Sequence, residues 1–595
     1  MILESKIKFS NRFQLICLLI LAAVLNINTL FNKYALDDHV VLTKNKLVLE
    51  GVKGIPKLLT TDLFYGTEGE NSHLPGGRYR PFALVLFAIE YQIFGLNPYV
   101  NHLINILLFV LLIYMLYVIL QYHIFKEQHH YLAFVSCLLF IVHPIHTEVI
   151  ANIKSRDEII TFILLLCTAF IYIKYSVNHK RWVLALGLFC YLLALLTRES
   201  AVPFIAIVPL TAYFFYGQTI KKSLMLAVPL AFVFFVYMAL RVSVIGFTSK
   251  DEIDILNTPF LYATHAEAFA TKVYMLFKYL WLLIFPHPLS VDYGYNEIAY
   301  VGLGSIQFIG SLLLYLGIFL YAAYTFLRKS LFSFCILYFL ITIFLFANFV
   351  INIGAPLAER LLFQPSLGFC IALAAIYLQF FSKAKIPSAI LLIAICILFS
   401  IKTVIRNRVW STNETLFFTD VEIAPNSIRT NFFAGHEYLK KGQAEENEEL
   451  KIKYLNKVLA LDKKVMELNP HHKYVYVDLG YANFSLHKFF VAADFWKKAI
   501  ELAPGDTALR KRVNEVSDVL YNSGNRLFRK GNLDSAIICY KKSVELNDKN
   551  TDAWYNLGGS YFKKDDVKNG LDAWQNVLKL EPERKLDREK FSKTQ

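Results

Sequence analysis

Apolar runs long enough, or nearly long enough, to cross a bilayer recur through the first two thirds of this chain. They lie near 13–31, 99–122, 131–144, 159–175, 182–196, 201–216, 224–240, 303–327, 331–351, 361–381 and 386–405, about eleven spans. Two shorter runs, 81–96 and 273–286, suit helices lying at the interface or re-entering it. With 56% hydrophobic and 15% aromatic residues in 595, the chain is too apolar for one water-soluble fold and too long for one domain.

The net charge is +14, but lysines and arginines gather in short loops between the apolar runs. Lys6, Lys8 and Arg12, then Lys174, Lys180 and Arg181, then Lys221 and Lys222, Arg328 and Lys329, and Lys383 and Lys385 follow the positive-inside pattern and set the N-terminus in the cytoplasm. That distribution argues for a membrane partner and against nucleic acid. The first run is expected to be an uncleaved signal anchor. An odd number of spans then puts 32–80, 143–158, 242–272, 355–360 and the C-terminal region together on the extracytoplasmic side. The setting would be a bacterial inner membrane with periplasmic repeats or an endoplasmic reticulum membrane with lumenal ones. Of the cysteines only Cys539 falls outside the apolar segments, and no disulfide framework or zinc spacing is present.

After Trp410 the pattern becomes helix pairs of fixed period: Pro470 and Pro504 stand 34 residues apart, as do Asp548 and Pro582. That is the tetratricopeptide interval. Leu479, Gly480, Ala492, Trp496, Ala499 and Pro504 carry the repeat's large, small and turn-forming positions, and Trp554, Leu557, Gly558, Tyr561, Trp574 and Pro582 repeat them. Residues 521–548 with Gly524, Ala536 and Tyr540, and 431–470 with Gly435, Tyr438 and an acidic insertion near 445–449, make weaker copies. The fold expected is all-α: a multispan membrane domain over 1–410, then an α-solenoid of about four repeats over 411–595.

Chemistry-bearing residues concentrate in the expected extracytoplasmic loops. Asp37 and Asp38 follow the first span; paired carboxylates suit a general base with a neighbour tuning it, or a solvated helix cap. Arg78 and Arg80, beside Gly76 and Gly77, suit a phosphate grip or a surface anchor. His143, His146 and Glu148 are metal-ligand types, but Pro144 between the histidines denies them the helical i, i+4 face, so no metal is expected. Ser155-Arg156-Asp157-Glu158 follows, and Arg198-Glu199 and Glu359-Arg360 read as acid–arginine pairs that neutralise each other or serve a site.

Asp37-Asp38, Gly77-Arg78-Tyr79-Arg80-Pro81, His143-Pro144-Ile145-His146-Thr147-Glu148, Arg198-Glu199, the string from Glu359 to Phe369, and Arg408-Val409-Trp410 occur in the order seen in the transmembrane and tetratricopeptide-repeat O-mannosyltransferase-like proteins. The chain resembles that family over nearly its whole length. It departs at Ser155, where the family more often has glycine, and at Leu362-Phe363-Gln364, which replaces a more tyrosine-rich stretch. The resemblance implies a GT-C glycosyltransferase with a polyprenyl- or dolichyl-phosphate hexose, mannose by the family's name, as donor. It implies a protein acceptor, held by the repeats, on the extracytoplasmic side.

On that reading Asp37 or Asp38 is the base, and Arg78, Arg80, Arg198 and Arg360 are candidates for the donor phosphate. His143, His146, Glu148, Arg156, Glu199 and Glu359 shape the pocket. A non-catalytic repeat scaffold needs only one anchor span, and a transporter would set its charges at span centres rather than at span ends.

Overall fold

The computed structural model of the chain describes residues 10–69, 77–125, 131–178, 180–246, 254–350, 352–505 and 507–586. Lys6, Lys8 and Gly76 lie outside the described residues. Every regular element among them is helical. The chain divides into two compact units, 1–427 and 428–595.

In the first unit, five helices among the described residues are long and apolar enough to cross a membrane: Asn11–Phe31, Pro98–Ile124, Ile220–Ile245, Ile306–Phe326 and Lys385–Val409. Leu132–Val142 and Pro144–Ala151 form a sixth candidate, bent by 57°. The bend sits at Pro144, which has no N–H to give the helix and forces the preceding residue out of helical geometry; His143 is extended, with φ −67° and ψ 119°. Shorter apolar helices are Pro81–Phe94, Arg181–Thr197, Glu199–Phe215, Leu331–Phe344 and Ser366–Phe381.

Starts are set by local chemistry. Ser10 caps the first helix by accepting from the Phe13 amide (3.2 Å), and Asn97 caps Pro98–Val118, with Pro98 pre-set for the first turn. Outward faces carry Phe232, Phe235, Tyr324, Phe380 and Leu398, all largely exposed. Such faces are stable only against hydrocarbon, so this is a membrane protein. Inward, Phe109, Tyr117, Phe140, Phe162, Tyr191 and Phe363 are fully buried in one core.

The second unit is four antiparallel helix pairs: Ile428–Ala444 with Glu448–Leu468, Lys473–Ser485 with Phe489–Leu502, Thr507–Arg529 with Leu533–Leu546, and Thr551–Lys563 with Val567–Leu580. Glycine on each first helix lets the second approach. A Cβ on Gly480 or Gly558 would stand 2.3 Å from the indole of Trp496 or Trp574, and one on Gly524 2.6 Å from the Tyr540 ring. These are the small and large positions read from the period, and each pair buries its core against the next.

Candidate functional site

Asp37 and Asp38 share one turn after the first span but point to different surroundings. Asp38 is fully buried. Its Oδ2 accepts from the Ala35 amide (3.0 Å), and its Oδ1 accepts from Asn152 Nδ2 (3.0 Å) and the Lys154 amide (2.7 Å). Burial pushes its carboxyl up to about 7 against those hydrogen bonds. The side chain of Asp37 is 41% exposed and faces the Lys154 ammonium, 3.7 Å from its Oδ2. Asp38 is spent anchoring the 152–155 turn, and Asp37 is the carboxylate of the two that reaches the surface.

The arginines divide in the same way. Arg80 is buried, with Nη1 3.1 Å from Asp157 Oδ2 and Nη2 2.7 Å from Glu199 Oε2. Arg198 donates Nη1 to both oxygens of Asp157 at 2.8 Å, and its Nε lies in ion contact with Glu158 Oε1, 2.8 Å away without hydrogen-bond geometry. Arg156 is held by Glu90, by the Asn101 carbonyl (2.7 Å) and by Asn105, and lies 5.0 Å from the Phe87 ring centre. Each of these three is committed to protein acceptors.

Arg78 donates its backbone amide to Asp62 Oδ2 (2.5 Å), but its guanidinium, half-buried over the Phe64 ring at 5.8 Å, has no carboxylate partner among the described residues. Burial, with the like charges of Arg80 and Arg360 near it, holds its guanidinium down at about 10. Asp37 and Glu199 act on it in the opposite sense. Arg360 binds Glu148 through Nη1 and through its own amide (3.0 Å), and the rest of its guanidinium has no hydrogen-bond partner among the described residues. The same Asp37 and Asp157 contribute to its field.

The paired reading of Arg198-Glu199 and Glu359-Arg360 is corrected by this geometry. Both lie at short helical turns, where adjacent residues point apart: Glu199 joins Arg80, Arg198 joins Asp157 and Glu158, and Arg360 joins Glu148. Glu359 has no part in an arginine pair of this cluster. It accepts from the Ser290 amide (2.6 Å) and the Tyr293 hydroxyl (2.9 Å), and burial lifts it to about 8.

His143 and His146 sit at the helix break. His143 bonds the Leu283 carbonyl (2.9 Å) through Nε2, and His146 bonds the Phe140 carbonyl (2.8 Å) and Ser366 Oγ (2.8 Å). Their ring nitrogens are used to hold the bend. Among the described residues no group of three or more His, Cys, Asp or Glu could hold a metal ion.

Sequence reasoning missed Glu90 and Lys154 as members of the cluster, and it named Asp157 and Glu158 in their string without giving them a role. Glu90 had a signal: a lone carboxylate in the apolar helix Pro81–Phe94, which must find a cation when buried.

A tetratricopeptide-repeat family model matches residues 524–565. The Protein O-mannosyl-transferase TMTC3 of Homo sapiens is 23% identical, covering 94% of this chain and 67% of its own length. The Protein O-mannosyl-transferase F38B6.6 of Caenorhabditis elegans is 22% identical, covering 71% of this chain and 59% of its own length. The Protein O-mannosyl-transferase TMTC1 of Homo sapiens is 25% identical, over 68% and 50% respectively. The chain thus spans between half and two thirds of the length of these relatives. Helical membrane unit, repeats and relatives agree with the motifs: the chain is similar, over most of its length, to the transmembrane and tetratricopeptide-repeat O-mannosyltransferase-like proteins.

Proposed function

We propose that this chain is a glycosyltransferase that moves a hexose, mannose by the names of its relatives, from a polyprenyl-phosphate lipid to protein hydroxyl groups on the extracytoplasmic side of its membrane. The observation that carries the reading is the meeting of Asp37, the exposed carboxylate of its pair, with the Arg78 guanidinium, which has no carboxylate partner among the described residues, in a cluster whose other arginines are largely neutralised.

An acceptor hydroxyl gives its proton to an Asp37 oxygen as its own oxygen attacks the anomeric carbon. The bond from that carbon to the phosphate oxygen breaks, and the phosphate leaves with the electron pair, inverting the sugar. Arg78 and the free side of Arg360 stabilise the charge that grows on the leaving phosphate. Arg80 and Arg198, already paired, hold the surrounding carboxylates in place, and Arg156, Glu148 and Glu199 brace the cluster. His143, His146 and Glu359 fix the backbone around it. The repeats supply a stacked helical surface for the protein acceptor. A scaffold with an idle membrane anchor leaves this buried charge network without a reason.

The test is transfer from a synthetic polyprenyl-phosphate mannose to a peptide by the full chain in detergent. Asp37→Asn keeps the shape and removes the proton acceptor, so turnover falls by about 10²–10⁴ while donor binding holds. An Asp37→Asn protein that transfers at the wild-type rate overturns the assignment.

A further inference from the structure

Lys154 lies in the turn between Pro144–Ala151 and Arg156–Asn178. Its side chain is only 5% exposed. An ammonium is rarely put there without a task, since removal from water is costly and long aliphatic stems can ordinarily reach solvent. Its Nζ stands 3.7 Å from Asp37 Oδ2 and 4.0 Å from Asp157 Oδ2. Both separations are longer than a hydrogen bond, so the cation is balanced between two carboxylates rather than bound to one.

Its backbone is fixed independently: the Lys154 amide donates to Asp38, and Asn152 bonds both Asp38 and the Ala35 carbonyl (3.2 Å). The dipeptide Asp37-Asp38 is therefore tied to the Lys154 turn twice, by Asp38 through the backbone and by Asp37 through the side chain. Asp157 is already held by Arg198 and Arg80. The lysine side chain thus adds a tie to Asp37 that the backbone bonds of Asp38 do not supply.

We propose that Lys154 is the positioning residue for the base of the sugar transfer, its ammonium holding the Asp37 carboxylate aimed at the acceptor hydroxyl. This rests on the glycosyltransferase reading and deepens it. The charged groups around the ammonium are Asp37 and Asp38 from the segment after the first span, Asp157 from Arg156–Asn178, Arg80 from the start of Pro81–Phe94, and Arg198 from the end of Arg181–Thr197. Burial and the two arginines pull the lysine down to about 8 against Asp157 and Asp37. The amine therefore loses its proton just above neutrality, and with it the hold on Asp37.

The test is the pH profile of kcat/KM for the full chain. In the wild type the alkaline limb falls near pH 8. Lys154→Arg keeps its charge, so it recovers part of the activity lost in Lys154→Gln and carries the alkaline limb up by more than a unit. Lys154→Gln, which has no proton to lose in this range, abolishes that limb.

A second readout needs no transfer: the pH dependence of acetylation of the Lys154 amine by acetic anhydride, read by mass spectrometry. Its midpoint falls further in Asp37→Asn, which removes a charge that raises it. Limbs unmoved in both lysine variants, or a midpoint unmoved in Asp37→Asn, overturns the proposal. Full transfer by Asp37→Asn strikes the base assignment itself, whereas loss of transfer in Asp37→Asn with unmoved limbs strikes only the role of Lys154.

Discussion

At the scale of single residues, chemical type matters less than which partners are already spent. Arg78 and Arg80 are two positions apart, yet Arg80 is locked between Asp157 and Glu199 while Arg78 rests on a phenyl ring. Their alanine variants should fail differently. Arg80→Ala takes the cation from Glu199 and one of two arginines from the buried Asp157, and should cost about 3 kcal/mol of stability, seen as a lower midpoint of thermal unfolding in detergent. Arg78→Ala should unfold normally but bind a polyprenyl-phosphate sugar about tenfold or more weakly and turn over more slowly, since a phosphate contact exists before and during the reaction. Equal loss of stability in both variants would remove the distinction. The sequence made the residue types of this cluster legible, because Asp, Arg and Glu at span ends are costly without a purpose. It could not give the pairing. Arg198-Glu199 and Glu359-Arg360 are neighbours along the chain, but a helical turn sends neighbours to opposite sides, and each finds its partner from a distant segment.

At the scale of elements, the period of the repeats was read correctly because it is a local pattern: glycine against an aromatic ring recurs at Gly480–Trp496, Gly524–Tyr540 and Gly558–Trp574. The first repeat breaks it. There a Cβ on Gly435 would stand 2.4 Å from Asp462 Oδ1, so a carboxyl occupies the place of the ring. Asp462 is fully buried, and neither oxygen has a hydrogen-bond partner among the described residues. Burial first, and the charge of Asp478 second, raise it well above the ordinary 3.8. The folded state thus binds this proton more tightly than the unfolded chain does. Its contribution to stability is complete below the ordinary carboxylate value and is lost as pH rises through the raised one. Asp462→Leu, close in shape and without the desolvated oxygens, should stabilise the repeats by about 1–3 kcal/mol near neutral pH. It should also flatten the fall in stability with rising pH. Unfolding followed by circular dichroism at several pH values checks both; a destabilised leucine variant would mean that the carboxyl is needed there.

At the scale of the whole molecule, the change from long apolar runs to a 34-residue period after Trp410 marks two kinds of chain but not the edge of the first compact unit, which closes at Ser427. The reason is physical. Arg406 is buried, and its bidentate partner is Asp420, whose Oδ2 also takes the Val291 amide (2.6 Å). Asn413 Oδ1 accepts from the Leu36 amide (2.7 Å), and the Ser411 carbonyl accepts from the Lys33 amide (2.9 Å), so the segment past Trp410 braces the turn that carries Asp37. Ser427 Oγ donates to Asp292 (2.6 Å). None of these bonds has a pattern in the sequence, because each joins residues more than a hundred positions apart or pairs a lone arginine with a lone aspartate. A chain ending at residue 427 should therefore insert, stay monodisperse in detergent and bind a polyprenyl-phosphate sugar with near wild-type affinity. It should transfer to a short peptide but poorly to a folded protein acceptor, whose docking surface the repeats are proposed to supply. A chain ending at residue 410 strands Arg406 and frees the Leu36 amide. It should lose about 3–5 kcal/mol and with it donor binding, even though every span is still present. Thermal unfolding and donor affinity of the two fragments, measured side by side, decide the matter: equal behaviour would show that the helix Asn413–Ile423 does not support the site.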